Sequence, residues 1–136
     1  MKKIIWCFLV LSAYANSATI QVDRVVSVYD ADTFRVDVDS WPPVVGSKMP
    51  IRVNGIDAPE IRGKCEHEKQ RAREARDYVS GLLASANVIE LRNIQRGKYF
   101  RLIADVYIDD VSLAERIIDA GYARRYDGGK RLGWCD

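Results

Sequence analysis

A long amphipathic segment divides the chain into two unequal parts. Between residues 66 and 86, small and apolar side chains recur at three- and four-residue steps, at Ala72, Ala75, Val79, Leu82, Leu83 and Ala86. This spacing places them on one face of an α-helix, while the charged residues of the segment fall mostly on the other faces. The pattern therefore predicts one amphipathic helix over residues 66–86.

Strand-like segments lie on both sides of this helix. They alternate apolar with polar residues or are rich in Val and Ile, and Pro and Gly interrupt them. The predicted strands are residues 20–28, 34–39, 51–53, 88–92 and 101–108. After the last strand, Ser112 and Glu115 fit the capping box of a short helix, and Gly121 is placed to end that helix.

The order of these elements predicts the fold class. Three strands, a helix, two strands and a helix are expected of a five-stranded Greek-key barrel of the oligonucleotide-binding type. The predicted fold is therefore a β-barrel with helices, in the α+β class.

The N-terminus has the pattern of a secretory signal peptide. Lys2 and Lys3 precede an apolar run over residues 4–11 that is too short to span a bilayer. Residues 1–18 are predicted to be this signal, with cleavage after Ala15, Ser17 or Ala18, and residues 19–136 form one domain. The alternative is an anchor that stays attached. We expect an exported monomer, periplasmic or secreted, with no membrane association after cleavage.

The charge balance limits the ways in which the domain can bind a polyanion. The chain has 21 Lys and Arg against 19 Asp and Glu, and the predicted signal carries two of the lysines and no acid. The mature domain is thus formally neutral. This excludes a strongly basic coat, so a polyanion would have to be bound by a local arrangement of arginines.

Two cysteines remain after signal cleavage. Because Cys7 lies in the predicted signal, the mature chain keeps Cys65 and Cys135, and an oxidising compartment favours one disulfide between them. Two free buried thiols are the alternative. A structural zinc site is poorly supported, because two cysteines and the single His67 do not supply four ligands.

Acidic and basic side chains gather at three strand edges. These are the segments 30–33 (Asp-Ala-Asp-Thr), 52–60 (Arg-Val-Asn-Gly-Ile-Asp-Ala-Pro-Glu) and 98–101 (Lys-Tyr-Phe-Arg). Carboxylates and exposed carbonyls at such turns are ligands that a hard cation such as Ca²⁺ requires. Arginine forks bind phosphate oxygens and keep their charge. The alternative is that the acids are ordinary turn residues and the arginines belong to surface ion pairs.

Taken together and in this order, the three segments resemble the thermonuclease family typified by staphylococcal nuclease, over residues 22–134. The resemblance implies a five-stranded oligonucleotide-binding barrel. It also implies Ca²⁺ as cofactor, bound by Asp32, Asp57 and the backbone carbonyl of Ala58. Ala58 stands where the family more often has Thr, but a main-chain contact is available to either residue.

The resemblance further implies catalytic and substrate-binding roles. Glu60 is the expected general base or water-orienting group, and Arg52 and Arg101 are expected to contact the scissile phosphate. The residues expected to bind substrate are Lys98, Tyr99 and Tyr126, although Tyr126 aligns only if one residue is deleted after Gly121. By the same resemblance, we expect the long last helix of a typical member to be missing here and the Cys65–Cys135 disulfide to hold the shortened tail.

The function expected from these residues is calcium-dependent hydrolysis of phosphodiester bonds without sugar specificity. The expected substrates are single-stranded or locally opened DNA and RNA, and the resemblance implies 3′-phosphate products. Two alternatives are a non-catalytic barrel that binds nucleic acid or protein and a structural calcium-binding domain. A degenerate binding module would lack some of the acids or arginines, all of which are present here.

Overall fold

A computed structural model describes residues 18–136. The strands are Ile20–Gln21 (β1), Arg24–Asp30 (β2), Thr33–Asp37 (β3), Met49–Val53 (β4), Ile56–Asp57 (β5), Ile89–Arg96 (β6), Leu102–Ile108 (β7), Val111–Ser112 (β8) and Arg124–Arg125 (β9). The helices are Pro43–Gly46 (α1), Glu66–Ser85 (α2) and Leu113–Asp119 (α3). The signal peptide, predicted over residues 1–18, lies almost entirely outside the described residues and stays a prediction. Among these helices, none is both long and apolar enough to cross a membrane.

The main sheet closes on itself through the first extended segment. Its strand order is β1-β6-β7-β4-β3-β2, and only Val22 and Asp23 separate β1 from β2. The Val22 amide donates to the Ile89 carbonyl at one edge (2.9 Å), whereas the Asp23 amide donates to the Asp37 carbonyl at the other (3.0 Å). One segment, residues 20–30, thus pairs with both edges and forms a barrel. The predicted five-stranded barrel of the oligonucleotide-binding type is confirmed.

Strand register brings the predicted site segments together. β3 pairs with β4 so that Thr33 lies opposite Arg52, and β4 runs parallel to β7 so that Arg52 lies opposite Ile103. Arg101 directly precedes β7. Arg52 therefore lies beside the turn between β2 and β3, which contains Asp32, and the Arg101 side chain lines the same cleft as Asp32.

The helix α2 packs on the barrel through the predicted face. Its buried apolar residues are Ala72, Ala75, Val79 and Leu83, and its main contacts are with β2. They join a core whose largest fully buried side chains include Phe34, Ile51 and Leu91. The predicted helix over residues 66–86 is confirmed to within one residue, because Ala86 is its C-cap.

The ends of the second predicted helix agree with its sequence signals. The Ser112 hydroxyl accepts a hydrogen bond from the Glu115 amide (3.3 Å) and caps α3. The Glu115 carboxylate binds the Arg125 guanidinium with both oxygens (2.8 Å each). Gly121 follows α3 with a φ of +79°, a left-handed conformation that glycine adopts without steric cost.

Four short elements, α1, β5, β8 and β9, were not predicted. The helix α1 occupies one turn where the Trp41-Pro42-Pro43 sequence indicated only a break, since proline is tolerated in a first helical turn. The strands β5 and β9 form a separate two-residue ladder that pairs Asp57 with Arg124. This ladder brings the C-terminal part of the chain beside a predicted site residue.

Candidate active site

One cleft of about 560 Å³ gathers most of the predicted site residues. Those that line it are Asp32, Arg52, Glu60, Lys98, Arg101 and Tyr126. Asp57 lines an adjoining cleft that shares Gly55 and Tyr126 with the first. Ala58 is fully buried, and Tyr99 lies in solvent with 92% of its surface exposed.

Asp32 is buried in the turn between β2 and β3. One of its carboxylate oxygens accepts a hydrogen bond from the Thr33 hydroxyl (3.0 Å). The other accepts from the Ala58 amide (3.3 Å) and lies 3.1 Å from Nη1 of Arg52. Burial raises the pKa of Asp32 above its ordinary value, and the charge of Arg52 opposes this shift. Ala58 thus lies in direct contact with a predicted cation ligand.

Asp30 is a further acid of the cleft, to which the sequence analysis assigned no role. Its carboxylate accepts a hydrogen bond from the Ile61 amide (2.9 Å). Burial raises the pKa of Asp30 to about 6, and the negative charges of Asp32 and Glu60 add to the shift. The sequence could have identified Asp30 from the spacing in Asp30-Ala31-Asp32, since alternate residues at a tight turn can face the same cleft.

The two predicted phosphate arginines differ in how they are held. Arg52 donates to the backbone carbonyls of Val53 (3.2 Å) and Ile56 (2.9 Å) in addition to its pairing with Asp32. These contacts fix its guanidinium on the cleft wall. Within residues 18–136, Nε of Arg101 is buried and has no hydrogen-bond partner. A buried donor without a partner is costly, and a phosphate oxygen is an acceptor that would satisfy it.

The C-terminal segment contacts Asp57 and Glu60. Nε of Arg131 donates to Oδ1 of Asp57 (2.8 Å), and Nη1 of Arg131 donates to Oε1 of Glu60 (2.6 Å). The Trp134 indole N–H donates to Oδ2 of Asp57 (3.2 Å). Sequence reasoning did not identify Arg131 or Trp134, because neither belongs to a motif and both reach the cleft only through the path of the tail.

The predicted disulfide between Cys65 and Cys135 is present. Cys65 is also the N-cap of α2, where its sulfur accepts a hydrogen bond from the Glu68 amide (3.4 Å). The buried Glu68 carboxylate in turn accepts from the backbone amides of Glu60 (3.4 Å) and Lys64 (2.9 Å). The disulfide therefore joins the C-terminal tail to the loop that presents Glu60.

The acids of the two adjoining clefts supply the donor type that a hard cation takes. Asp30, Asp32 and Asp57 are at most 8% exposed, and all offer oxygen. Among the described residues, the one set of three metal-ligating side chains with ligand atoms all within 4.8 Å comprises Cys65, Glu68 and Cys135. Its two sulfur atoms are bonded to each other. The oxygens of Asp30, Asp32 and Asp57 contact arginines, backbone amides, Thr33 and Trp134.

The predicted substrate residues lie on the rim. Lys98 lines the cleft, and the next residue, Tyr99, lies in a turn where both Tyr99 and Phe100 have left-handed φ values of 56° and 55°. Such backbone is strained for residues other than glycine, and the turn holds the Tyr99 ring in solvent. Tyr126 lines the cleft from the opposite segment, and its hydroxyl donates to the Gly129 carbonyl (2.8 Å).

The cleft thus combines fixed guanidinium groups with buried carboxylates. Guanidinium forks bind phosphate oxygens, and carboxylates bind hard cations or accept protons. An arrangement of this kind can bind a phosphodiester and stabilise charge that develops on phosphorus.

Comparison with known proteins identifies the family. Residues 50–131 match the family model described as "Staphylococcal nuclease homologue". The chain is also 28% identical over 114 residues to the thermonuclease of Staphylococcus hyicus, a match that covers 83% of this chain. The same match covers 64% of that relative, which is less than two thirds of its length. Because the family model spans more than half of the sequence, the chain belongs to the family of staphylococcal nuclease homologues.

Proposed function

We propose that this protein is an exported, calcium-dependent nuclease that hydrolyses phosphodiester bonds of DNA and RNA and leaves 3′-phosphates. The observation that carries the proposal is the single cleft that joins Arg52 and Arg101 with Asp32 and Glu60. Family membership supports the reaction class. Calcium, the 3′-phosphate products and export come from the sequence resemblance and the signal-like N-terminus.

The residues present fit Ca²⁺. Asp32, Asp57 and the Ala58 carbonyl would bind it, and all three offer oxygen ligands. The negative charge of Asp57 contributes to raising the pKa of Asp32, so a cation between these two acids would relieve a repulsion that burial already makes costly. When bound, the ion would supply Lewis-acid stabilisation of phosphate charge.

The protein's own groups account for the remaining chemistry. Glu60 is 44% exposed at its side chain and lines the cleft, so its carboxylate can accept or direct the proton of an attacking water. Arg52, already oriented by two backbone carbonyls, would bind one face of the phosphate. Arg101, whose Nε lacks a partner in residues 18–136, would gain one from a phosphate oxygen. Together they would stabilise the five-coordinate phosphorus.

Single-stranded or locally opened nucleic acid is the proposed substrate. Lys98 would contact a phosphate, and the exposed Tyr99 ring and Tyr126 would stack on bases. Stacking is available to every base and to both sugars, so we expect weak sequence preference and activity on DNA and RNA alike. The protein is proposed to act as a monomer.

The experiment is digestion of labelled single-stranded DNA and RNA by purified residues 19–136 with Ca²⁺, with and without EGTA. We expect cleavage of both polymers, loss of cleavage with EGTA, and 3′-phosphate ends by mass spectrometry. If the protein binds Ca²⁺ and nucleic acid but leaves both polymers intact, the catalytic assignment is wrong. The non-catalytic binding barrel would then replace it.

A further inference from the structure

The C-terminal segment, residues 130–136, is fastened against the cleft by several independent contacts. The Arg124 guanidinium stacks on the Trp134 ring (3.8 Å to the ring centre) and donates to the Gly133 carbonyl (2.8 Å). The disulfide joins Cys135 to Cys65 at the start of α2. The segment is therefore held at a fixed place on the cleft wall.

This placement lets Arg131 contact two acids at once. Its guanidinium pairs with Asp57 and with Glu60, and Trp134 donates to the second oxygen of Asp57. The Asp57 side chain is 4% exposed, whereas that of Arg131 is 43% exposed. Both oxygens of a buried acid are thus engaged by donors from the same short segment.

We propose that Arg131 is a positioning residue that holds Asp57 and Glu60 and competes with a divalent cation for Asp57. The inference rests on the proposed function, which assigns Asp57 to the cation. Three residues separate Arg131 from Cys135, so the disulfide keeps the guanidinium at a high effective concentration near the acids. Cation affinity is therefore coupled to the disulfide through Arg131.

Displacement does not remove Arg131 from the cleft. The residue lines the same cavity as Arg52 and Arg101, and the tether limits how far it can move. A guanidinium released from Asp57 is then available to a substrate phosphate. Arg131 thus lowers cation affinity in the free protein and favours substrate once the cation has bound.

The test is titration of the protein with CaCl₂ alone, without nucleic acid, by isothermal calorimetry. We expect R131A to bind Ca²⁺ about tenfold more tightly than the wild type, which corresponds to about 1.4 kcal/mol. R131K, which keeps the charge but loses the fork, should fall between them. K69A removes a positive charge from the exposed surface of α2, outside the cleft, and should leave the dissociation constant nearly unchanged. An R131A variant that binds Ca²⁺ as weakly as the wild type, or more weakly, overturns the inference.

Reduction of the disulfide gives a second readout. Reduced wild-type protein, shown to be folded by circular dichroism, should bind Ca²⁺ more tightly than oxidised protein. In R131A, reduction should leave the affinity unchanged, because the group that the tether delivers is gone. An equal effect of reduction in both proteins contradicts the coupling.

Cleavage of single-stranded DNA, measured in parallel, separates this inference from the proposed function. If the wild type cleaves and R131A binds Ca²⁺ no more tightly, only the inference is wrong. If the wild type binds Ca²⁺ without cleaving, the proposed function is wrong, and a tighter R131A still supports the competition. A wild type that binds no Ca²⁺ overturns the inference.

Discussion

Reduction of the Cys65–Cys135 bond is expected to cause a large loss of stability. The bond joins residues 70 positions apart, so it restricts most of the domain in the unfolded state. Chain-entropy reasoning for a loop of this length gives a stabilisation of about 4 kcal/mol at 25 °C. For a domain of this size, that corresponds to a fall of about 15 °C in melting temperature.

The assay is urea unfolding of oxidised and reduced protein, followed by tryptophan fluorescence. A matched control is the Cys65→Ser, Cys135→Ser variant, whose unfolding midpoint should not respond to the reductant. A loss below about 1 kcal/mol on reduction would refute the reasoning, because it would mean that the unfolded chain is not restricted by the cross-link.

Three further predictions test the core, the cleft and the surface charges. Phe34→Ala empties a fully buried position and should lower the free energy of unfolding by about 3–5 kcal/mol in urea; an unchanged midpoint would contradict the assigned core. Arg101→Lys keeps the charge but loses the fork, so kcat should fall by about 10²- to 10³-fold without a change in stability; an unchanged kcat would exclude Arg101 from the reaction. The Arg24 hydrogen bonds hold the pKa of Asp39 below its ordinary value, so Arg24→Ala should raise that pKa in NMR titrations. Because the pKa of Asp39 is lower in the folded protein, ionised Asp39 stabilises the fold above about pH 4, and this contribution is lost as the pH falls through the folded-state pKa. The Arg24→Ala variant should lose less stability over that pH range.

Much of the fold was predictable because its determinants are local. The helical spacing of Ala72, Ala75 and Val79 and the N-cap at Ser112 depend on neighbouring residues, and both appear in the structure. Barrel closure depends instead on Val22 and Asp23 bonding to opposite edges of the sheet, a long-range arrangement without a local signal. The barrel was nevertheless predicted, from the element order together with the resemblance of the three motif segments to the thermonuclease family.

The candidate site was predictable where motif spacing coincides with strand register. Asp32, Arg52 and Arg101 come together because β3, β4 and β7 are adjacent. Arg131 and Trp134 could not be predicted in the same way, since their contacts depend on where a tail without periodic pattern is fastened. The predicted disulfide implied that the tail is fastened, but not which side chains reach the acids.

The most direct measurement of the central claim compares kcat/KM on single-stranded DNA for the wild type, Glu60→Gln and Glu66→Gln. Glu60 lines the cleft, whereas Glu66 pairs with Lys69 on the exposed surface of α2 and serves as a matched control. If Glu60 moves the proton of the attacking water, its substitution should lower kcat/KM by about 10²- to 10⁴-fold, while Glu66→Gln keeps the wild-type value. Equal rates for all three proteins would contradict the account, because they would exclude Glu60 as the group that moves the proton of the attacking water.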